Sequence, residues 1–376
     1  MTILILGSLS RSLLNFRGPL IERLVAAGHT VITAAAHDED SDEVTQALAQ
    51  WGVAHHSIPL ARGGLNPLAD LRTFRAFRRL IRQTRPDGVL AYTAKPVIYG
   101  GLATRALSNV RFFPMITGVG YAFTSGVGLK RRAVRRVLTH LYRRALRHAE
   151  RVIFQNPDDQ ALFTSLGLVA EPKQAARVNG SGVDRDAFPP QPLPPEPVFL
   201  MIARLVADKG VREYVDAARR VRAVHPEARF RLVGDVDPNP SGISQRELDA
   251  WIREGCIEYV GPLANVQPEL ARCRYYVLPS YREGTPRSVL EAMATGRPVI
   301  TTDVPGCRET VEHGVNGLLV ARQDAQALAG AMEALLALPT ADAQAMADEG
   351  LAMVKARFDV DKVNDQMMEI LELSSG

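Results

Sequence analysis

Short runs of β-branched and large apolar residues alternate with longer segments of helical periodicity, and this alternation constrains the fold more than any other feature. Such an order implies parallel βαβ units with helices on both faces of each sheet. Five strands are predicted in the first half, at residues 3–6, 31–35, 89–92, 112–116 and 152–154. Six more are predicted in the second half, at residues 198–202, 230–233, 257–260, 275–278, 299–302 and 318–320.

A proline-rich stretch, PPQPLPPEP at residues 189–197, separates the two halves. Proline fixes φ, so the stretch favours a stiff extended linker, although it also fits a long surface loop inside one domain. We predict two doubly wound α/β domains, over residues 1–190 and 191–357, with a helix at about 358–376 packing back on the first. Two such domains facing each other place a cleft at the carboxyl ends of both sheets.

The cysteine content and the hydropathy of the chain indicate its cellular compartment. Three scattered cysteines cannot build a disulfide framework, which favours a reducing environment. The apolar start of the chain has no basic residue before it and is typical of a buried strand rather than a signal peptide. No stretch approaches the roughly 18 apolar residues of a membrane span. We therefore expect a cytoplasmic protein, bound at most peripherally to the inner face of the membrane.

Charge is distributed unevenly between the halves. Residues 1–190 carry 25 Lys and Arg against 14 Asp and Glu, whereas the remainder carries 20 against 27. The basic half is therefore expected to meet an anionic partner.

The most informative segment is YYVLPSYREGTPRSVLEAMATGRPVITT, at residues 275–302. It is typical of a strand, a loop, a helix and a second strand. Thr285 suits the N-cap, Pro286 the first helical position and Gly296 the helix end. The loop Glu283-Gly284-Thr285 would thus present a helix N-terminus, whose free amides and dipole favour a phosphate.

Four charged side chains complete this pattern. Glu283 and Glu291, eight positions apart, can accept hydrogen bonds from hydroxyl groups on either side of a diphosphate. Arg204 ends another predicted strand and Lys209 follows it, and two such cations suit a diphosphate leaving group. Taken singly, each of these residues also fits an ordinary solvated surface side chain.

These motifs resemble the GT4 glycosyltransferases, which have the GT-B fold, and most closely those that extend polyprenyl-diphosphate-linked saccharides. NGSGVD at residues 179–184 and GDVDPNPSGIS at 234–244 add to the resemblance, which spans nearly the whole chain. It implies a retaining enzyme that transfers a hexose or N-acetylhexosamine from a nucleoside-diphosphate sugar to an undecaprenyl-diphosphate-linked saccharide in surface glycan assembly. UDP is favoured, with GDP left open.

The resemblance also implies roles for individual residues. Arg204 and Lys209 would hold the diphosphate, Glu283 the donor sugar and Glu291 the ribose. The nucleobase would lie near Tyr259 and the residues that follow it, Val260, Gly261 and Pro262. The nucleotide sugar is a co-substrate, and no other cofactor is implied.

The pair Asp235 and Asp237 forms a D-x-D motif, which can share a hard cation. Glycosyltransferases with the other common fold, GT-A, use that motif, whereas the rest of this chain resembles the GT-B class. We interpret the motif as a loop turn and expect no catalytic metal.

Acceptor residues are predicted in the first half. Gly7 ends the first strand, and Asn15, Arg17 and Gly18 are expected in a loop before a helix that starts at Pro19. Lys95 follows another strand and can hold a lipid diphosphate or simply be solvated. Many GT4 relatives have His-Gly where this chain has Thr117 and Gly118, so no side-chain base is expected there. The donor's own phosphate oxygen would serve as the base.

Two arginine-rich segments are candidates for membrane contact. Residues 129–150 predict an amphipathic helix with an apolar stripe and a basic face, and residues 72–85 carry six arginines. The helix can lie on an anionic bilayer, or it can pack its stripe on the core with a solvated basic face. Both hold if the stripe faces the core and the arginines face lipid headgroups. Neither segment contains a recognised nucleic-acid module, so nucleic acid is not expected as a partner.

Two other functions remain open at this stage. A nucleotide-sugar epimerase of the GT-B class would isomerise its donor without an acceptor. A non-catalytic membrane-binding protein would bind anionic vesicles and transfer no sugar. A nicotinamide enzyme is disfavoured because G-x-G-x-x-G is absent.

Overall fold

The computed structural model describes residues 1–61, 64, 66–105, 107, 109–119, 129–237 and 241–373, with the backbone alone at 129–131. The chain divides into two compact units. The first comprises Met1–Ser181 with Lys362–Gly376, and the second comprises Gly182–Asp361.

The first unit contains a seven-stranded parallel sheet in the described residues, in the order β3-β2-β1-β4-β5-β6-β7. Its strands are β1 Thr2–Leu6, β2 Thr30–Ala36, β3 Ala54–Ile58, β4 Gly88–Tyr92, β5 Arg111–Ile116, β6 Val152–Phe154 and β7 Ala175–Arg177. Its helices are α1 Ser10–Ala26, α2 Ser41–Gln50, α3 Pro67–Thr84, α4 Ala94–Thr104, α5 Leu129–Leu146 and α6 Pro157–Ser165. The central strands are buried on both faces, which accounts for their continuous apolar runs.

The second unit contains a six-stranded parallel sheet in the described residues, in the order β10-β9-β8-β11-β12-β13. Its strands are β8 Val198–Ile202, β9 Arg229–Val233, β10 Glu258–Gly261, β11 Tyr275–Leu278, β12 Val299–Thr302 and β13 Gly317–Val320. Its helices are α7 Val211–Val224, α8 Gln245–Glu254, α9 Gln267–Arg272, α10 Arg287–Ala294, α11 Ala325–Ala337 and α12 Thr340–Met353.

The proline-rich segment does not lie at the division between the units. The division comes earlier, after Ser181, and the prolines belong to the second unit. Two buried arginines hold them there, because Arg297 donates to the carbonyl of Pro192 at 2.8 Å and Arg274 to that of Pro194 at 2.6 Å. Prolines lack N–H donors but keep their carbonyls, so these bonds suit the segment.

The last helix, α13 Val360–Ile370, begins in the second unit and continues into the first. Val183 pairs with Asp359 just before this helix. From Lys362 onward the apolar side chains, such as Met367 and Leu371, are buried in the core of the first unit beside Ile3.

No described helix is both long and apolar enough to cross a membrane.

Candidate active site

The order of strands in the second sheet reverses between β8 and β11, which are paired at its centre. In open parallel sheets ligands bind outside the carboxyl ends of the strands at such a switch point. Arg204 and Lys209 follow β8, whereas Glu283 and Glu291 follow β11. The topology therefore brings all four predicted donor residues to one end of the sheet.

Lys209 and Glu283 form a salt bridge between Nζ and Oε1, although 74 residues separate them in sequence. The hydroxyl of Ser280 donates to the same carboxylate oxygen at 2.7 Å. Both charged side chains are largely shielded from solvent. The cation predicted for the diphosphate thus lies beside the carboxylate predicted for the sugar.

Close backbone packing positions this pair. Gly210, at φ 73°, ends a 3₁₀ turn over Ala207–Lys209, and a Cβ there would overlap the carbonyl of Pro279. The N–H of Tyr281 donates to the carbonyl of Asp208 at 2.8 Å. The loop after β8 is therefore fixed on the loop after β11, and only glycine fits at position 210.

Glu291 lies in α10 with its side chain 12% exposed, and Arg287 one turn earlier donates to it from Nε at 2.8 Å. Burial raises the pKa of this carboxyl, and the charge and hydrogen bond of Arg287 only partly oppose that shift. A carboxylate kept from water in this way is poised to accept hydroxyl hydrogen bonds.

The helix that carries Glu291 begins later than predicted. α10 starts at Arg287, and Pro286 occupies the N-cap with extended φ −74° and ψ 107°, so the assignment of Thr285 to the cap was wrong. Thr285 is half-buried and Gly284 is buried in the bend that precedes the helix. Gly296, at φ 80°, follows the helix end as predicted.

Arg204 is paired with the D-x-D loop, since its Nη1 donates to Asp237 Oδ2 at 2.8 Å. Within the described residues no group of three His, Cys, Asp or Glu side chains is arranged to hold a metal ion.

The segment predicted for the nucleobase lies at an edge of the sheet. Val260 and Gly261 are in β10, and exposed Pro262 follows. The hydroxyl of Tyr259 donates to the carbonyl of Gly234 at 2.9 Å, which ties this edge to the end of β9. β10 lies two strand spacings, about 10 Å, from β8.

In the first unit, the prediction of a loop at Asn15, Arg17 and Gly18 was wrong, because all three lie within α1. The helix begins at Ser10, whose N–H is capped by Asp38 at 3.0 Å, and it runs through Pro19. Its buried residues repeat with helical spacing, and this outweighs the Gly-Pro pair.

Asn15, Arg17 and Gly18 have different surroundings. Asn15 is exposed, whereas Arg17 is buried, with its guanidinium 5.0 Å from the ring centre of Tyr92. Gly18 is buried, and a Cβ there would make an ordinary contact with Trp51 at 3.5 Å, so the helix packing does not require glycine. Gly7 lies at the end of β1, where a Cβ would press on the hydroxyl of Tyr92.

Lys95 is neither solvated nor without a partner. Its Nζ lies 2.7 Å from Asp70 Oδ1 of α3, and the side chains are only 13% and 10% exposed. Tyr99, one turn further along α4, hydrogen-bonds the same carboxylate, and burial together with this bond raises the pKa of its hydroxyl. α4 begins at Ala94, so Lys95 lies in its first turn.

Thr117 and Gly118 follow β5 directly, and both are half-buried. Gly118 has φ 140°, a conformation that suits glycine. Residues 120–128, which come next, lie outside the described residues.

Two family models match the chain. One, described as "Glycosyl transferase 4-like domain", matches residues 17–180, and another, "Glycosyl transferases group 1", matches residues 196–338. The chain belongs to the GT4-type glycosyltransferases.

Two curated relatives of this GT4-type chain illustrate the similarity. It is 29% identical over 350 residues, 89% of each chain, to N,N'-diacetylbacillosaminyl-diphospho-undecaprenol alpha-1,3-N-acetylgalactosaminyltransferase of Campylobacter jejuni. It is 24% identical to UDP-Gal:alpha-D-GlcNAc-diphosphoundecaprenol alpha-1,3-galactosyltransferase of Escherichia coli, over 84% of this chain and 83% of that one.

Solved structures share its fold. Anabaena HepE in complex with UDP and glucose superposes with a TM-score of 0.78 at 21% identity, over 99% of both chains. Sucrose-phosphate synthase from Thermosynechococcus elongatus gives 0.81, also at 21% identity, over 99% of this chain and 98% of that one. The two parallel-sheet units are those of the GT-B fold, as predicted.

The sequence reasoning missed the residues that support the site. Ser280, Arg287 and Asp237 each contact one of the four predicted side chains. Ser280 lies two residues after the end of β11, and Arg287 is four residues before Glu291, so both had a local signal. Asp237 and Arg204 lie in different loops, 33 residues apart in sequence, so no local pattern predicts their contact.

Proposed function

We propose that this glycosyltransferase moves a hexose or N-acetylhexosamine from a nucleoside-diphosphate sugar, with UDP favoured, to a lipid-linked saccharide with retention of anomeric configuration. The observation that carries the proposal is the meeting of Arg204, Lys209, Glu283 and Glu291 at the switch point of the second sheet. These four side chains can bind the diphosphate, the sugar and the ribose of such a donor.

Each donor group has a counterpart in this set. Arg204 and Lys209 bind the diphosphate, and the approach to α10 at Gly284 and Thr285 borders it. Glu283 accepts hydrogen bonds from the sugar. Lys209 has three N–H donors, so it can keep its contact with Glu283 while it binds a phosphate oxygen.

The remaining part of the donor is its nucleoside. Glu291 binds the ribose, and the edge formed by Val260, Gly261 and Pro262 lies beside the base. The co-crystallised UDP of the similar HepE structure is in keeping with this nucleotide class.

The chemical step needs charge stabilisation more than a side-chain nucleophile. As the anomeric bond opens, negative charge grows on the diphosphate, and Arg204 with Lys209 neutralises it. The acceptor hydroxyl attacks from the same face and passes its proton to the departing phosphate oxygen. Thr117, at the position where many GT4 relatives have histidine, is not required as a base.

We assign the acceptor to the carboxyl end of the first sheet, which carries Gly7, Lys95, Thr117 and Gly118. Lys95 offers the cation for a lipid diphosphate, and Asp70 orients it. The names of both curated relatives include a diphospho-undecaprenol saccharide, which supports this acceptor class.

We also assign a membrane-facing surface to the first unit. All six arginines of residues 72–85 are exposed, and so are Leu68 and Leu71 on the same helix. In α5 the second half packs its stripe on the core, whereas Val137, further toward its start, is exposed among arginines. α3 and α5 both pack on α4, so exposed apolar side chains and arginines share one side of the unit.

The experiment that tests the proposal is a thermal-shift screen of the purified protein with UDP, GDP, ADP and NAD. A ligand that binds only the folded state raises its apparent stability. We expect UDP to stabilise the wild type, and Arg204→Ala or Glu291→Ala to abolish the effect. Glu349→Ala, an exposed glutamate of α12, is the matched control and should respond like the wild type.

Other outcomes point elsewhere. If GDP alone stabilises the protein, the donor-site assignment stands and the nucleobase is guanine rather than uracil. No response to any nucleotide would remove the support for a donor site and favour a non-catalytic membrane-binding protein. Isomerisation of a UDP-sugar without acceptor would favour an epimerase.

A further inference from the structure

The D-x-D motif, interpreted from sequence as a loop turn, contributes a carboxylate to the donor end of the sheet. Asp237 accepts the 2.8 Å hydrogen bond from Arg204 Nη1. Among the described residues Asp237 is the ionic partner of this arginine. The contact joins the loop after β9 to the end of β8.

The backbones of these two segments are fixed to each other. Leu205, which is fully buried, donates its N–H to the carbonyl of Asp235 at 2.9 Å and forms a parallel bridge with Val236. Its carbonyl accepts from the N–H of Ile243 at 2.8 Å. Arg204 and Asp237 therefore flank a buried junction, and their spacing is set by the backbone.

The two side chains differ in how firmly they are held. Asp237 is 16% exposed, whereas Arg204 is 59% exposed. The shielded carboxylate is the fixed partner, and the long arginine is the one whose rotamers it restricts. A guanidinium has five N–H donors, and the contact with Asp237 uses Nη1, so donors remain for a phosphate.

We propose that Asp237 is a positioning residue that holds Arg204 in the orientation that binds the donor diphosphate. The inference rests on the proposed donor site. An arginine ordered in advance loses less rotamer freedom when the ligand binds. The carboxylate's repulsion of the diphosphate is small, because the adjacent guanidinium of Arg204 neutralises its charge.

The test compares a nucleoside diphosphate with its parent nucleoside by calorimetry, using UDP with uridine, or GDP with guanosine if the screen selects GDP. We expect Asp237→Asn to weaken diphosphate binding by about tenfold and to leave nucleoside binding unchanged. Asp235→Asn makes the same charge change two residues away on an exposed side chain and should bind like the wild type.

A double-mutant cycle tests whether Asp237 affects diphosphate binding through Arg204. In the Arg204→Ala background, Asp237→Asn should cause no further loss, because the residue it orients is gone. A further loss there, tighter diphosphate binding in Asp237→Asn, or an equal loss for the nucleoside would each overturn the inference.

Failure of the donor site itself looks different. In that case Arg204→Ala alone would leave diphosphate binding unchanged, or the wild type would bind no nucleotide, and both proposals would fall. A weakened Arg204→Ala variant beside an unaffected Asp237→Asn variant would keep the donor site and reject only the positioning role.

Discussion

The carbonyl of Pro305 accepts a hydrogen bond from the backbone N–H of Glu283 at 3.0 Å. The next residue, Gly306, has φ 86°, and a Cβ there would overlap the carbonyl of Glu283. The turn after β12 therefore supports the backbone of Glu283 from one side, while Lys209 and Ser280 hold its carboxylate. The position of this glutamate depends on three loops together.

Gly306→Ala should disable transfer far more than it destabilises the fold, because the new methyl group displaces the backbone of Glu283. We expect turnover to fall roughly 10²-fold, as when a catalytic group is misplaced by about 1 Å. Gly314→Ala is the matched control, since Gly314 has φ 80° but nothing near its missing Cβ. Both variants carry the strain of a positive φ, and Gly306→Ala adds the backbone overlap, so it should lose more stability than Gly314→Ala. Equal activities would contradict the supporting role of the turn.

Glu283→Gln should lower the rate of sugar transfer by roughly 10²–10³-fold and change UDP affinity little, because the proposed site assigns Glu283 to the sugar and not to the nucleotide. Steady-state kinetics with calorimetry separates the two effects. Glu349→Gln provides the same chemical change on an exposed face of α12. Similar small effects from both variants would count against the assignment of Glu283.

Glu291 gives a pH dependence whose sign follows from its raised pKa. The folded state holds its proton more tightly than the unfolded state does. Stability is therefore lost as pH rises through the folded pKa. We expect Glu291→Gln to raise the melting temperature above that pKa and to leave it unchanged below pH 4.

The same variant should bind UDP more weakly, because the proposed site assigns the ribose hydrogen bonds to the ionised carboxylate of Glu291. Thermal melts and UDP titrations over a pH series measure both effects. A melting temperature that falls at neutral pH would contradict the desolvation of Glu291.

Lys95→Gln should destabilise the first unit by about 3 kcal/mol, because it leaves the shielded Asp70 carboxylate without its cation. Lys173→Gln breaks an exposed pair with Glu171 and should cost at most about 1 kcal/mol. Chemical denaturation measures both. Equal losses would mean that the Lys95 pair is no stronger than a surface pair.

Arg75→Gln with Arg79→Gln should weaken binding to vesicles that contain anionic lipid by roughly 30-fold, at about 1 kcal/mol per charge. Arg220→Gln with Arg222→Gln removes two exposed arginines from α7 and is the matched control. Co-sedimentation at low and high salt measures the effect. If both double variants lose binding equally, the attraction follows net charge and not the surface of α3.

The predicted strands include the central strands of both sheets and the two edge strands of the second sheet, β10 and β13. β3 and β7 were missed, and they are the two edges of the first sheet. β3 reads AHHSI and is mostly exposed, and β7 has only three residues. An edge strand is stabilised by one neighbour and needs no continuous apolar run, and neither β3 nor β7 has one, so these two sequences carry little signal.

Local motifs predicted part of the candidate site, and long-range packing supplies the rest. The spacing of Glu283 and Glu291 was evident in the sequence because one loop and one helix carry both. α1 was misjudged because Gly18 and Pro19 suggested a break, whereas Trp51 and the sheet give this helix a buried face. Contacts such as Lys95 with Asp70 depend on how helices pack and have no local signature.

The path of α13 has a consequence for synthesis on the ribosome. The core of the first unit includes Met367, Met368 and Leu371, yet these residues are translated only after the entire second unit. While the second unit is being made, the nascent first unit exposes the apolar surface beside Ile3 and Leu20 that these side chains later cover. Completion of the first unit is thus coupled to completion of the second, and truncated products would keep an apolar surface that chaperones and proteases recognise.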